Sequence, residues 1–134
     1  MNEKQNSDFE DVKHYWINSS DKDYNTMMNL FKSKDYNWSL FIGHIVIERL
    51  LKAYYVQTHN GHAPFTHDLL RLSNAAGFEI DNEKSDWLDT ITTFNINARY
   101  DSYKSEFYNK CTPEFTDFWI KKIEELREWI KSKL

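Results

Sequence analysis

The segment Thr66-His67-Asp68 has the residue types and the position of an anion site. It stands at the predicted start of a helix, where Thr66 can cap the helix and Asp68 lies in the first turn. Free N–H groups at a helix N-terminus favour anions, so His67 is placed to meet a phosphate group there. The alternative interpretation is an ordinary capped helix start.

Arg99 and Tyr100 form a second candidate site, at the point where a later helix is predicted to give way to a loop. The planar guanidinium group of Arg99 suits a bidentate contact with a phosphate. The structural alternative is a salt bridge from Arg99 to Asp101 or Glu48.

The third candidate is a row of polar residues on a helix that is otherwise apolar. His44, Glu48 and Lys52 are spaced by four residues, which places them on one face of that helix. They form either a polar groove that reaches into the bundle or across a subunit interface, or a Glu–Lys pair and a histidine along a solvated edge.

Composition limits the folds that can position these residues. The chain has 134 residues, and residues 8–134 are expected to form a single domain. Its three glycines and two prolines are too few for the turns of an all-β fold. Gly43, Gly61 and Gly77 stand singly, which excludes a Rossmann unit or a P-loop. An all-α fold remains.

Charge and cysteine content narrow the function classes. The chain has 17 Lys and Arg against 21 Asp and Glu, a formal net charge of −4. This balance argues against nonspecific DNA binding but allows a small cationic pocket around Lys52, His67 and Arg99. No signal peptide and no apolar run of membrane-spanning length is recognised, so a cytoplasmic protein without membrane contact is expected.

The sequence predicts neither a metal site nor a cofactor. His59 and His62 flank a turn, but no cysteine or acidic residue accompanies them at the spacing of metal ligands. Cys111 has no motif around it and is expected to be structural.

Hydrophobic periodicity predicts an antiparallel bundle of about five helices, two long ones at the N-terminus and three shorter ones. Residues 1–7 are expected to be flexible, and the first helix to run over about residues 8–32. The second helix, about Tyr36 to His59, is apolar nearly all round and should lie at the centre. Gly61 is predicted to take the left-handed position after it.

The remaining helices are predicted to be shorter. A third covers residues 66–76, and a fourth begins at Asp81 or Asn82. Residues 97–111 lose the helical period and are predicted to form a long loop. Pro113 stands at a favoured first-turn position and opens the last helix, which has the clearest amphipathic pattern.

Five short motifs occur in an order and at spacings that resemble one known family. They are Trp16-Ile17 with Asp23, Asp35-Tyr36-Asn37-Trp38-Ser39, Glu48-Arg49-Leu50-Leu51-Lys52-Ala53, Thr66-His67-Asp68-Leu69 and Ala98-Arg99-Tyr100-Asp101. Together they resemble the HEPN domain family (higher eukaryote and prokaryote nucleotide-binding) over about residues 15–129. The last motif is similar to the family's Ala-Arg-Tyr-Pro, with Asp101 in place of the proline.

The resemblance implies an antiparallel helical bundle that forms a homodimer and binds a nucleotide or RNA near His67 and Arg99. Many members similar to this chain are encoded beside a minimal nucleotidyltransferase, and such a pair can act as toxin and antitoxin. A nucleotidyltransferase partner in a toxin–antitoxin context is therefore also implied.

Some branches of the family are metal-independent RNases, whose motif is an arginine, a polar residue and a histidine four to six residues further on. Here Tyr100 follows Arg99, Lys104 and Ser105 stand downstream, and no histidine occurs after His67. The histidine of the RNase motif is missing, which favours a noncatalytic binding domain. Two alternatives remain: a divergent RNase that uses His67 as its base, and a pure protein-interaction module whose 22 aromatic residues include an interface.

Overall fold

Residues 3–134 are described by a computed structural model of the chain, with side chains described from residue 8 onward. This part of the chain contains no strand and forms six helices: α1 (Glu3–Lys32), α2 (Tyr36–His59), α3 (Leu69–Ala76), α4 (Asn82–Arg99), α5 (Asp101–Lys110) and α6 (Pro113–Lys131). The predicted all-α helical bundle is confirmed, with one helix more than expected. Of the segment predicted to be flexible, residues 1 and 2 lie outside the described residues, and the backbone of residues 3–7 belongs to α1.

Helix α2 is the central element of the bundle, as its apolar sequence predicts. Helices α1, α3, α4 and α6 all pack against it. Twelve of its 24 residues are buried, which is more than a helix covered on one side only would bury. The buried set includes His44, Glu48 and Lys52, so the polar row lies inside the bundle.

Two buried serines hold α1 against α2. Ser20 Oγ donates a hydrogen bond to Val46 O at 2.8 Å, and Ser39 Oγ donates one to Met27 O at 2.9 Å. The earlier residue on α1 pairs with the later residue on α2, so the two helices are antiparallel. Their small side chains satisfy their own polar groups and let the two backbones lie close together.

Gly43 allows α6 and α1 to approach α2 closely. A Cβ atom built at this position would lie 2.5 Å from Ile123 Cδ1 and 3.1 Å from Met27 Sδ. Both distances are shorter than ordinary van der Waals contact, so only glycine fits here without a shift of its neighbours.

The turn after α2 differs from the prediction in the residue that takes the left-handed conformation. Asn60, with φ of 48°, occupies this position, and Gly61 does not. Asparagine tolerates the left-handed region better than most residues, and the N–H of Asn60 donates to Val56 O at 3.0 Å. The helix nevertheless ends at His59, as predicted.

The start of α3 also differs from the prediction. Asp68 is the N-cap, and its carboxylate accepts a hydrogen bond from Arg71 N at 3.1 Å. Thr66 Oγ1 instead accepts a hydrogen bond from Asp68 N at 3.1 Å, within the loop. The predicted cap at Thr66 is wrong, and Asp68 precedes the first turn rather than lying in it.

The predicted loop over residues 97–111 is wrong. Helix α4 continues to Arg99, and α5 covers most of the remaining segment. Phe107 is the only buried residue of α5, so this helix has almost no hydrophobic period by which it could be recognised. Asp101 is its first residue, a position that proline also favours, and an acidic residue there suits the helix dipole.

Cys111, directly after α5, has the environment of a structural residue. It is buried, and this burial raises the pKa of its thiol to about 12. The thiol is therefore protonated at neutral pH and is a poor nucleophile.

The close approach at Gly43 predicts the effect of a larger residue there. We expect Gly43→Val to lower the free energy of unfolding by about 1–3 kcal/mol, because its side chain collides with Ile123 and Met27. Gly61→Val is the matched control, since a Cβ at Gly61 has only His59 O within 4 Å, at 3.8 Å. Urea unfolding of both variants measures the difference. Equal stability of the two variants would contradict the packing described here.

Candidate functional site

The carboxylate of Glu48 lies at the centre of a buried polar cluster. It accepts hydrogen bonds from His67 Nδ1 at 2.7 Å and from Lys52 Nζ at 3.1 Å, and His44 Nε2 lies 3.8 Å from it. Glu48 is 6 % exposed and Lys52 is 8 % exposed, so the interpretation as a solvated edge is wrong. An unpaired buried carboxylate is costly, and the partners offset that cost.

His44 is a fully buried histidine with one defined orientation. Its burial lowers its pKa, so the ring is neutral at pH 7. Nε2 lies 2.8 Å from the carbonyl oxygen of His67, and because a carbonyl only accepts, Nε2 carries the hydrogen and donates it. Nδ1 is then an acceptor and faces Asn95 Nδ2 at 3.4 Å.

Asn95 links this orientation to Arg99. With Nδ2 directed at His44, the Oδ1 atom of Asn95 accepts a hydrogen bond from Arg99 Nη2, and Arg99 Nε donates to the backbone oxygen of Asn95 at 3.1 Å. The guanidinium group also lies over the ring of Phe41, with 5.8 Å from Cζ to the ring centroid. In the described part of the chain no carboxylate pairs with Arg99, so the structural alternative of a salt bridge is not supported.

Lys52, His67 and Arg99 line one open cleft of about 230 Å³ between α1, α2, α4 and the loop at residues 60–68. The complete lining is Trp16, Phe41, Ile45, Glu48, Arg49, Lys52, His67, Asn95 and Arg99. Three candidates that belong to separate sequence motifs are thus brought together, where the sequence predicts a small cationic pocket. We call this feature the Arg99 cleft.

Positive charge exceeds negative charge in the Arg99 cleft. Arg49, Lys52 and Arg99 supply three cations. Asp23 pairs with Arg49 at 2.6 Å, and Glu48 pairs with Lys52, which leaves the guanidinium of Arg99 as the cation available to an anionic ligand. Three clefts are larger: those of about 290 and 380 Å³ each have one lysine and one glutamate in their linings, and that of about 260 Å³ has a single charged residue, Lys34.

Asp68 and Tyr100 lie beside the cleft rather than in its lining. The carboxylate of Asp68 caps α3, which is the ordinary interpretation of its motif. Tyr100 is 55 % exposed, and its ring centroid lies 5.5 Å from Arg99 Cζ. The other five candidate residues form one connected network.

Sequence reasoning missed Asn95, which connects the two halves of the network. Asn95 lies on the buried stripe of α4, between Ile91 and Ala98 and four residues before Arg99. A polar residue on such a stripe is a signal that could have indicated it. Phe41 gave no such signal, because it is one of many apolar residues in α2.

Within residues 8–134, no three His, Cys, Asp or Glu side chains are grouped as a metal ion would require. His59 stacks on Tyr55 with ring centroids 4.1 Å apart, and His62 contacts Phe9 edge to face at 5.8 Å. None of the helices in the described part of the chain is both long enough and apolar enough to cross a membrane.

The described residues thus form a six-helix bundle with a buried Glu–His–Lys cluster beside a cleft that contains an arginine. The family model described as HEPN domain matches residues 14–133, nearly the whole chain. The chain belongs to the HEPN domain family, and every residue of the Arg99 cleft lies inside the matched range. Membership points to a function related to nucleotides or RNA, or to protein interaction. No curated protein and no solved structure matches the chain.

The position of Asp68 predicts a structural effect of its removal. We expect Asp68→Ala to lower the free energy of unfolding by about 1 kcal/mol, because α3 loses its N-cap. Binding of ligands in the Arg99 cleft should not change. Asp68→Asn is the control, since asparagine is an equally good cap. Urea unfolding and ligand titration test this; weaker binding at unchanged stability would place Asp68 in the site.

The buried neutral state of His44 predicts a pH dependence of stability. Its pKa in the folded state lies below the value of about 6.5 in the unfolded state, so the unfolded chain binds the proton first as the pH falls. Protonation of this residue leaves the free energy of unfolding unchanged above about pH 6.5. Below that pH it lowers the free energy of unfolding, by up to about 1.4 kcal/mol per pH unit. We expect His44→Gln to unfold with a shallower dependence between pH 7 and 5. Parallel curves for the variant and the wild type would contradict this assignment.

Proposed function

We propose that this chain is a noncatalytic HEPN domain that binds the phosphate of a nucleotide or of RNA in the Arg99 cleft. The supporting observation is the guanidinium of Arg99, which is oriented by Asn95 and has no carboxylate partner in the described residues. Lys52, which is paired with Glu48, also lines the cleft, as do the rings of Trp16 and Phe41.

The geometry favours a small anionic ligand over an extended nucleic-acid duplex. The cleft holds about 230 Å³, and the chain as a whole carries a net charge of −4. A duplex requires a broad positive surface that contacts many phosphates. A single phosphate group needs only a guanidinium fork with one or two further donors, which this cleft has.

Calorimetric titration with ATP, GTP and a short single-stranded RNA tests the proposal. We expect at least one of them to bind, and Arg99→Ala to weaken its affinity about tenfold or more, because a charge-assisted hydrogen bond contributes about 1.5–3 kcal/mol. Arg71→Ala is the matched control: it removes the same charge from an exposed position on α3, outside the cleft lining. No binding by the wild type, or equal binding by both variants, would contradict the proposal.

A second candidate function, a divergent RNase, is favoured by the arrangement of His67. Its Nδ1 is bound to Glu48, so its Nε2 is the atom left for a substrate, and His67 shares the cleft with Arg99. In this reaction Nε2 takes the proton of a ribose 2′-hydroxyl, the 2′-oxygen bonds to the adjacent phosphorus, and the bond from phosphorus to the 5′-oxygen breaks. The 5′-oxygen leaves with a proton from water.

Incubation with end-labelled RNA distinguishes the two candidates. The binding proposal expects the RNA to stay intact. Cleavage that His67→Gln abolishes and Arg71→Ala does not would establish the RNase instead.

We further propose that the chain acts as a homodimer, together with a minimal nucleotidyltransferase, in a cytoplasmic toxin–antitoxin pair. Exposed aromatic and apolar side chains support an interface between proteins. Those near the start of α2, the end of α4 and α5 are Trp38, Ile96, Tyr100, Tyr103 and Tyr108. Light scattering should give the mass of a dimer, and a monomer at high concentration would contradict this part of the proposal.

A further inference from the structure

Phe65 is the most exposed large apolar side chain in the described part of the chain, at 92 %. Its loop is nevertheless firmly anchored, because His44 donates to the carbonyl of His67 and Glu48 binds the His67 ring. Thr66 Oγ1 adds a local hydrogen bond from the backbone of Asp68. The fold thus holds this phenylalanine in water rather than leaving it on a loose loop.

Phe65 lies beside the Arg99 cleft, where its ring and a second aromatic ring both contact a lining residue, Lys52. Lys52 Nζ lies 6.0 Å from the ring centroid of Phe65 and 5.2 Å from that of Trp16. The ring of His67 lies 5.8 Å from Phe65. Two aromatic rings therefore flank one ammonium group at the edge of a cleft that contains an available guanidinium.

An exposed phenylalanine ring and a half-buried tryptophan ring beside a cationic cleft match a ligand that combines a phosphate with a flat, unpaired base. Every nucleobase has a face that stacks on an aromatic side chain, and each stacking contact raises affinity about tenfold to a hundredfold. A base that is paired inside a duplex cannot present this face.

We propose that Phe65 and Trp16 form a base-stacking subsite beside the phosphate-binding Arg99, so that the ligand is an unpaired nucleotide, either free or within single-stranded RNA. This inference rests on the proposed phosphate binding in the cleft. It adds that recognition of the base occurs by stacking and depends on Phe65.

Fluorescence anisotropy with a labelled six-nucleotide RNA and an abasic oligomer of the same length tests the subsite. We expect Phe65→Ala to weaken binding of the RNA about tenfold and binding of the abasic oligomer less than twofold, and Phe65→Tyr to retain RNA affinity. Phe118→Ala is the matched control, because Phe118 is also an exposed phenylalanine, at 49 %, and lies on α6 outside the lining of the Arg99 cleft. Its affinities should equal those of the wild type. Since Phe65 is so exposed, thermal unfolding should confirm that Phe65→Ala folds normally.

Titration with uridine monophosphate and ribose 5-phosphate separates the free nucleotide from RNA as the source of the base. If the free nucleotide is the ligand, it binds more tightly than ribose 5-phosphate, and Phe65→Ala removes the difference. If single-stranded RNA is the ligand, only the oligomer shows the dependence on Phe65. Either result supports the subsite.

The same measurements distinguish an incorrect stacking subsite from an incorrect phosphate site. One outcome is that the wild type binds the abasic oligomer as tightly as the RNA, that Arg99→Ala weakens binding of both, and that Phe65→Ala weakens binding of neither. In that case the stacking subsite is wrong and the phosphate site is retained. If neither oligomer binds, and neither uridine monophosphate nor ribose 5-phosphate binds, both are wrong. If Phe65→Ala changes only the mass measured by light scattering, Phe65 is a protein contact and the stacking subsite is overturned.

Discussion

The buried carboxylate of Glu48 is the interaction on which the geometry of the Arg99 cleft depends. A carboxylate near the middle of the central helix is tolerated only with partners, and those partners come from two places. Lys52 is one turn further along α2, and His67 is in the loop before α3. Because His67 binds Glu48, the loop runs back along α2, and Phe65 lies beside the cleft, near Lys52.

His44 fixes which groups donate and which accept in this hydrogen-bond network. Its neutral ring donates through Nε2 to the His67 backbone and accepts through Nδ1 from Asn95, so the amide of Asn95 can present only its oxygen to Arg99. Each hydrogen bond fixes the polarity of the next one. One buried ring thus connects the loop on one side of the cleft with the guanidinium on the other.

Much of the fold follows from the sequence, because α2 is apolar nearly all round and α6 has a clear stripe. Helix α5 could not be recognised, because Phe107 is its only buried residue and one buried position cannot show a helical period. For the site, helical spacing predicted that His44, Glu48 and Lys52 share a face. Burial of that face depends on how α1 and α4 pack over it, and this long-range packing leaves no local signal in the sequence.

The network depends on a neutral His44 with its hydrogen on Nε2, which orients the hydrogen bonds on both sides of the ring. Long-range ¹H–¹⁵N NMR correlation spectra of imidazole-labelled protein at pH 7 measure this directly, because the two nitrogen shifts differ between tautomers and from the protonated ring. His44→Gln assigns the resonance. We expect His44 to show one protonated nitrogen, Nε2, and an unprotonated Nδ1. A ring protonated on both nitrogens, or on Nδ1 alone, would contradict it.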